Sequence, residues 1–154
     1  MNSSKLVRLI GLVSIVAGVA LILGGGATWM VVRSQLVAEN IVIPDDAMAF
    51  QGEVVDGPLD AYVQADIINQ HALKTTEGAT YAELDREDPR RDVVMNGSFL
   101  RTSLFSSVIA FGVAAFAAGM GLLFTLIGVA LRTLVPTDAV VAPVAPVKDK
   151  VATA

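Results

Sequence analysis

The densest group of ionisable side chains lies at residues 85–92, which read DREDPRRD. Seven of these eight residues are charged, in a chain that is 54% hydrophobic. Four carboxylates and three guanidiniums largely neutralise one another, so this is not a basic patch for nucleic acid, and a free metal site is disfavoured. Exposed ion pairs add little stability but can determine partner choice. Two interpretations stay open: a solvated charged turn, or a docking surface formed by Asp85, Arg86, Glu87, Asp88, Arg90, Arg91 and Asp92.

His71 is the only histidine, and the chain has no cysteine. Asp66 precedes His71 by five residues, which places it about 140° away around a helix. One imidazole without a second strong ligand makes a poor transition-metal site. We therefore predict a structural or partner-facing His71, with a ligand or a pH sensor as the alternative. Because no nucleophile–base pair or metal-ligand pattern is found, we expect neither a cofactor nor an enzyme.

Two apolar blocks dominate the chain, and residues 9–32 and 102–131 contain no ionisable side chain. About 20 apolar residues cross the hydrocarbon core as a helix, and a spanning segment must be helical because lipid offers its backbone no hydrogen bonds. A cleaved signal peptide is the alternative for the first block. Its apolar run is longer than that of a usual signal peptide and no A-x-A site closes it, so we predict an uncleaved membrane helix.

The distribution of charge predicts the orientation of the two spans. Lys5 and Arg8 precede the first span and Arg132 follows the second, whereas residues 34–100 hold thirteen acidic and four basic residues, a net charge of −9. The positive-inside rule then predicts a multi-pass protein of the cell membrane. Its parts are a cytoplasmic N-terminus (1–8), the spans 9–32 and 102–131, an acidic extracytoplasmic domain (33–101) and a disordered cytoplasmic tail (132–154). Trp29 is expected to anchor the outer membrane interface.

The segment between the spans is expected to be mostly helical. Pro58 suits a first helical turn and Gly78 a helix end, so a helix is predicted between them, with Leu59, Val63, Ile67 and His71 on one stripe. Thr80 and Glu83 have the spacing of a capping box and predict a short second helix. The predicted fold class is thus an all-α membrane protein, with two transmembrane helices and a small, mostly helical extracytoplasmic cap.

Small residues recur at four-residue spacing within both blocks, and such spacing lets helix backbones approach closely. We predict helix packing through these positions, with plain lipid contact as the alternative. They are Ser14 and Gly18 in the first block, with Ala110, Ala114 and Ala118, and Ala117 and Gly121, in the second. Transport by this chain alone is not expected, since the spans lack the ionisable residues that line ion and proton pathways.

The run GPLDAYVQADIINQHALKTTEGATYAELDREDPRRD, followed by SFLRTSLFSSVIAFGV, resembles a family of short two-span actinobacterial membrane proteins. Many of these carry the label "aromatic ring-opening dioxygenase LigA". The resemblance covers roughly residues 55–115 and implies an envelope protein without catalytic residues to carry over. Ring-opening dioxygenases commonly hold iron with two histidines and a carboxylate, and this chain has one histidine.

These observations lead to two hypotheses of function. The first is a non-enzymatic accessory or scaffold subunit that contacts membrane lipid and other membrane proteins of an envelope complex, for instance a respiratory one, but not nucleic acid. The respiratory example is an analogy. The second is an extracytoplasmic sensor or regulator that responds to pH or cations through His71 and the acidic cap. Partner identity and oligomeric state do not follow from the sequence.

Overall fold

The computed structural model describes residues 3–135, which form three α-helices: α1 (Ser3–Ala38), α2 (Pro58–Thr75) and α3 (Arg90–Leu134). Within these residues there is no β-strand, and one isolated antiparallel bridge joins Val42 to Val54. The prediction of an all-helical chain is confirmed for this part. The predicted disordered tail lies, from residue 136 onward, outside the described residues.

Two of the helices, α1 and α3, are long and apolar enough to cross a membrane. They contain 36 and 45 residues, or about 54 Å and 68 Å at 1.5 Å per residue. The hydrocarbon core is only about 30 Å thick. Each apolar block therefore lies within a helix that continues well past it, and the central segment (residues 39–89) is attached to these extensions.

The two long helices pack antiparallel in a constant register. Every gain of seven residues along α1 is matched by a loss of seven along α3, as shown by the neighbouring pairs Gly11–Gly128, Gly18–Gly121 and Gly25–Ala114. Trp29 and Phe111, with ring centroids 4.6 Å apart, agree with this register to within one residue. Extending this register places residues 9–32 of α1 opposite residues 107–130 of α3. Residues 90–106 of α3 therefore have no apolar α1 span beside them, and α2 packs on this part of α3 instead.

The helix predicted from Pro58 and Gly78 is present as α2. At its start, the Asp60 carboxylate accepts hydrogen bonds from the backbone amides of Asp56 and Gly57, at 2.7 and 2.9 Å. At its end, Gly78 adopts φ +93° and donates its amide to the Leu73 carbonyl at 2.8 Å. This positive φ is readily accessible to glycine, which explains why the helix ends there.

Residues 41–55 form a turn that packs under α2. Ile43 donates its amide to the carbonyl of Glu53 at 3.0 Å, and Gly52 donates back to Ile43 at 2.9 Å. Ile43 and Val55 are fully buried in one cluster with residues of all three helices. A single hydrophobic core thus joins the turn, α2 and the halves of the long helices that lie next to the central segment.

One detail of the central segment differs from the sequence predictions. The short second helix does not form, because residues 79–89 adopt turns, although Glu83 does accept the Thr80 amide and hydroxyl at 2.7 Å. The capping contacts close one turn, and Pro89 then leads directly into α3. On the predicted stripe of α2, Val63 and Ile67 are buried together with Ala61 and Ala65, whereas Leu59 and His71 are exposed.

Candidate functional site

The contact between α1 and α3 is made of backbone against backbone. A Cβ atom on Gly18 would lie 2.5 Å from the Gly121 carbonyl oxygen, and one on Gly25 would lie 2.6 Å from the Ala114 carbonyl oxygen. Real Cβ atoms do not approach so closely, so a side chain at either glycine would force the helices apart. The small residues therefore set the separation of the two helices.

The repeat that builds this contact has a seven-residue period. The contacting positions are Gly11, Gly18 and Gly25 on α1 and Ala114, Gly121 and Gly128 on α3. A seven-residue period keeps one face of each helix on its neighbour if the pair winds gently around itself. Four-residue spacing picked out some of these positions but not Gly11, Gly25 or Gly128. A search at heptad spacing finds all of them.

The structure places the predicted packing residues within the chain's own helix pair or at its margin. Gly18, Ala114 and Gly121 are buried there, and Ala118 contacts the position of Gly25. Ser14, Ala110 and Ala117 are half-buried. By contrast, Gly24, Gly26, Gly112 and Gly119 have open space where a Cβ would project. These four glycines are thus still available to a neighbouring helix.

The charged segment 85–92 lies at the start of α3, far from the part of α3 that contacts α1. Arg90 begins α3, 21 residues before Phe111, which corresponds to about 30 Å along the helix. Within the segment, Arg90 donates to Asp88 from Nη2 at 2.7 Å and from Nε at 3.1 Å. This bond, ahead of other causes, lowers the pKa of the Asp88 carboxyl and raises that of the Arg90 guanidinium.

Arg91 has a structural role. Its Nη1 donates to the backbone carbonyls of Leu84 and Tyr81, at 2.6 and 3.2 Å. The guanidinium also lies over the Tyr81 ring, 4.0 Å from the centroid, in a cation–π contact. The Arg91 side chain thus connects the start of α3 to the preceding turn. Its guanidinium is engaged in these contacts and is not free to bind a partner.

The remaining charges of the segment face solvent. Asp85, Arg86, Glu87 and Asp92 are exposed and make no salt bridge among the described residues. The Asp85 carboxylate accepts only the adjacent amide of Arg86, at 3.0 Å. The predicted set therefore divides into three internally engaged residues and four that stay open, and the open group has three carboxylates and one guanidinium.

His71 is paired with a carboxylate that the sequence analysis did not connect to it. Its Nε2 donates to Asp46 Oδ2 at 2.7 Å, and Lys74 Nζ lies 3.7 Å from the same oxygen. The bond with His71 is the first cause that lowers the pKa of Asp46. All three side chains are about half exposed or more. The contact joins the turn at residues 41–55 to α2. Asp66 instead accepts a bond from Gln70 at 2.7 Å.

Within residues 3–135, no group of three or more histidine, aspartate or glutamate side chains is arranged to hold a metal ion.

Besides the contact between Asp46 and His71, a polar contact joins α1 to the central segment, where Arg33 Nε donates to Asp56 Oδ2 at 3.2 Å. Near the start of α2, Arg101 lies over the Phe105 ring and Tyr62 packs edge-on against the same ring. These contacts position the central segment on the two long helices.

The described residues thus define a hairpin of two membrane-length helices with a polar segment packed on one end. The chain matches no protein-family model, and no curated protein or solved structure matches it significantly.

Proposed function

We propose that this chain is a non-enzymatic accessory or scaffold subunit of a larger membrane complex in the cell envelope. In this proposal α1 and α3 span the membrane, both termini are cytoplasmic, and the central segment is an extracytoplasmic cap. The observation that carries the proposal is the division of the charged segment. Arg90 and Arg91 are engaged internally, while Asp85, Arg86, Glu87 and Asp92 remain open at the outer tip.

The position of the open charges limits the kind of partner. They lie about 30 Å beyond Phe111 along α3, too far from the lipid for contact with headgroups. A partner must therefore extend a domain of its own above the membrane. Three carboxylates around one guanidinium favour a partner surface that is mainly basic, because complementary potentials increase association and exclude other partners.

The long helices support the anchoring role. Their mutual contact is filled by their own glycines, and the faces turned outward are apolar along the predicted spans. Such a hairpin is complete as an anchor. Glycines on its outward faces, such as Gly24 and Gly119, have open space beside them and would let a neighbouring helix approach closely.

The test is a charge swap that leaves net charge unchanged. Arg86→Glu combined with Glu87→Lys inverts the pattern of two exposed side chains without touching Arg91 or the Asp88–Arg90 pair. The matched control is Arg86→Lys with Glu87→Asp, which keeps the pattern. Like-charge juxtaposition costs several kcal/mol, and a micromolar complex is held by about 8 kcal/mol. Mild-detergent purification followed by mass spectrometry should recover partners with the parent and the control but not with the swap. Equal recovery with all three would exclude a docking role for the segment.

A second candidate function, an extracytoplasmic sensor or regulator, is supported by the Asp46–His71 contact between the turn and α2. Its signal would have to reach the cytoplasmic tail. Deletion of residues 133–154 separates the two functions, because a scaffold keeps its partners without the tail and a regulator loses its effect.

A further inference from the structure

Several apolar side chains of the central segment are exposed, and three of them lie next to Trp29 or Phe105 of the long helices. These three are Phe50, Leu59 and Tyr62, which we call the apolar rim. Leu59 is 69% exposed and Tyr62 48% exposed. Phe50 also adopts a left-handed backbone conformation, φ +59°, which is uncommon for a bulky residue. The surrounding turn holds it there: Glu53 donates its amide to the Phe50 carbonyl at 3.0 Å.

The register of the long helices gives the depth of this rim. Arg8 and Arg132 lie at the same end of the hairpin, as the contact of the Gly11 position with Arg132 and Gly128 shows. A hydrocarbon core of about 30 Å corresponds to about 20 helical residues. Counting from Arg8, the opposite edge of the core falls at Trp29, which packs against Phe111. Tryptophan is enriched at this boundary.

The rim begins at this level and extends outward by about 9 Å along α3. Phe50 and Leu59 line one open groove together with Trp29. Tyr62 packs on Phe105, which lies six residues outward from Phe111 along α3. The α2 helix then rises away from this level, because its later residues contact earlier residues of α3: Asn69 meets Arg101 and Ala72 meets Gly97. Only the start of α2 is therefore near the lipid boundary.

The polar groups around the rim are compatible with a shallow position in lipid. Asp56 is paired with Arg33, and Asp60 accepts the amides at the start of α2, so neither needs water as its main partner. Glu53 lines the same groove. Because an ionised carboxylate is costly in hydrocarbon, Glu53 limits how deeply the rim can enter the bilayer. The rim fits the headgroup layer and the upper acyl chains, where aromatic and leucine side chains are favoured.

We propose that Phe50, Leu59 and Tyr62 seat the central segment in the outer headgroup layer of the bilayer, so that α2 is fixed relative to the membrane plane. The occupant of the rim is lipid and not a second protein. This inference rests on the proposed membrane insertion of α1 and α3. It adds a lipid-binding surface to a segment that would otherwise be held only by its contacts with the long helices.

The absence of cysteine allows a direct test in the full-length chain. Leu59→Cys places one label at the rim, and because Leu59 is exposed the change leaves the core intact. Thr75→Cys, at the far end of α2, is the matched control, about 24 Å along the helix. Each variant is reconstituted in vesicles of phosphatidylethanolamine and phosphatidylglycerol and labelled with bimane. Quenching is then compared between lipid-attached nitroxide and water-soluble iodide, and the single tryptophan, Trp29, is measured in the same samples.

We expect the label at position 59 to be quenched several-fold more by the lipid-attached quencher than the label at position 75, with Trp29 also quenched from the lipid. If label 59 is quenched by iodide like label 75 while Trp29 is quenched from the lipid, the rim is not in lipid although the helices are inserted. If label 59 is shielded from both quenchers, a protein covers the rim and the proposal is wrong. If Trp29 itself is quenched by iodide, the membrane insertion is wrong as well.

Discussion

Gly18 and Gly121 lie backbone to backbone, so that a Cβ atom on either would come within 2.5 Å of the carbonyl oxygen of the other. This close approach lies at the middle of the contact between α1 and α3, between the Gly11–Gly128 and Gly25–Ala114 contacts. It fixes the register from which the depth of every other residue follows, because neither helix can slide without bringing a side chain onto the other backbone. The hairpin is therefore a rigid frame for the central segment.

The first prediction tests this contact. Gly18→Ala should lower the stability of the hairpin by roughly 1–3 kcal/mol, the usual cost of overpacking a close contact. Gly24→Ala is the matched control on the same helix, since a Cβ there meets nothing within 4 Å, and it should leave stability unchanged. The measurement is thermal unfolding in detergent, followed by the fluorescence of Trp29, which packs on Phe111. Equal unfolding temperatures for the two variants would show that the close contact is not formed.

The second prediction concerns the turn before α3. Arg91→Gln removes the charged donor to the Leu84 and Tyr81 carbonyls and the contact with the Tyr81 ring. Hydrogen bonds from charged groups contribute about 1.5–3 kcal/mol, so amide hydrogen exchange in residues 79–89 should become faster. Arg90→Gln, the control, removes only an exposed ion pair and should change exchange little. Similar exchange in both variants would contradict the structural role of Arg91.

The third prediction uses the pKa of Asp46, which is lowered mainly by the hydrogen bond from His71. A depressed carboxyl pKa means that the contact stabilises the fold above the ordinary value of 3.8 and loses this effect as pH falls through the lowered pKa. His71→Ala should therefore raise the pKa of Asp46 toward 3.8. Lys74→Ala should raise it less, because Lys74 acts only through its charge. Carbon-13 NMR titration of the side-chain carboxyl measures both shifts, and an unchanged Asp46 titration in His71→Ala would contradict the contact.

The fourth prediction concerns topology. If Lys5, Arg8 and Arg132 determine insertion, a reporter fused after Ala154 is cytoplasmic and one inserted near Glu77 is extracytoplasmic. Alkaline phosphatase, which is active only outside the cytoplasm, should give activity at the second site alone. Activity at Ala154 would reverse the orientation and place the charged segment on the other side of the membrane.

The sequence predicted those features of the fold that depend on composition and on local signals. Apolar blocks without ionisable residues predicted two long helices, and the interval from Pro58 to Gly78 predicted α2. The short helix after Thr80 was predicted wrongly, because the capping spacing of Thr80 and Glu83 is also satisfied in a single turn. Leu59, on the predicted stripe of α2, is exposed and lies where the chain meets the proposed lipid boundary.

The contacts of the candidate site depend on tertiary structure, which the sequence does not show locally. Asp46 and His71 are separated by 25 residues, and nothing in the sequence pairs them until the turn folds under α2. Arg91 looked equivalent to Arg90 within DREDPRRD, but only Arg91 reaches back to the Leu84 carbonyl. A charge reversal of both arginines would therefore disturb the turn as well as the surface. This is why the swap at Arg86 and Glu87 is the better test of docking.

The central claim is that the chain belongs to a larger membrane complex, and its migration in a native gel tests this most directly. Membranes of the natural host are extracted in a mild detergent, and the band that contains the chain is analysed by mass spectrometry. We predict a band far larger than the free chain, with other membrane proteins present in a fixed ratio to it. Migration only as the free chain, with no other protein in constant proportion, would contradict the proposed function.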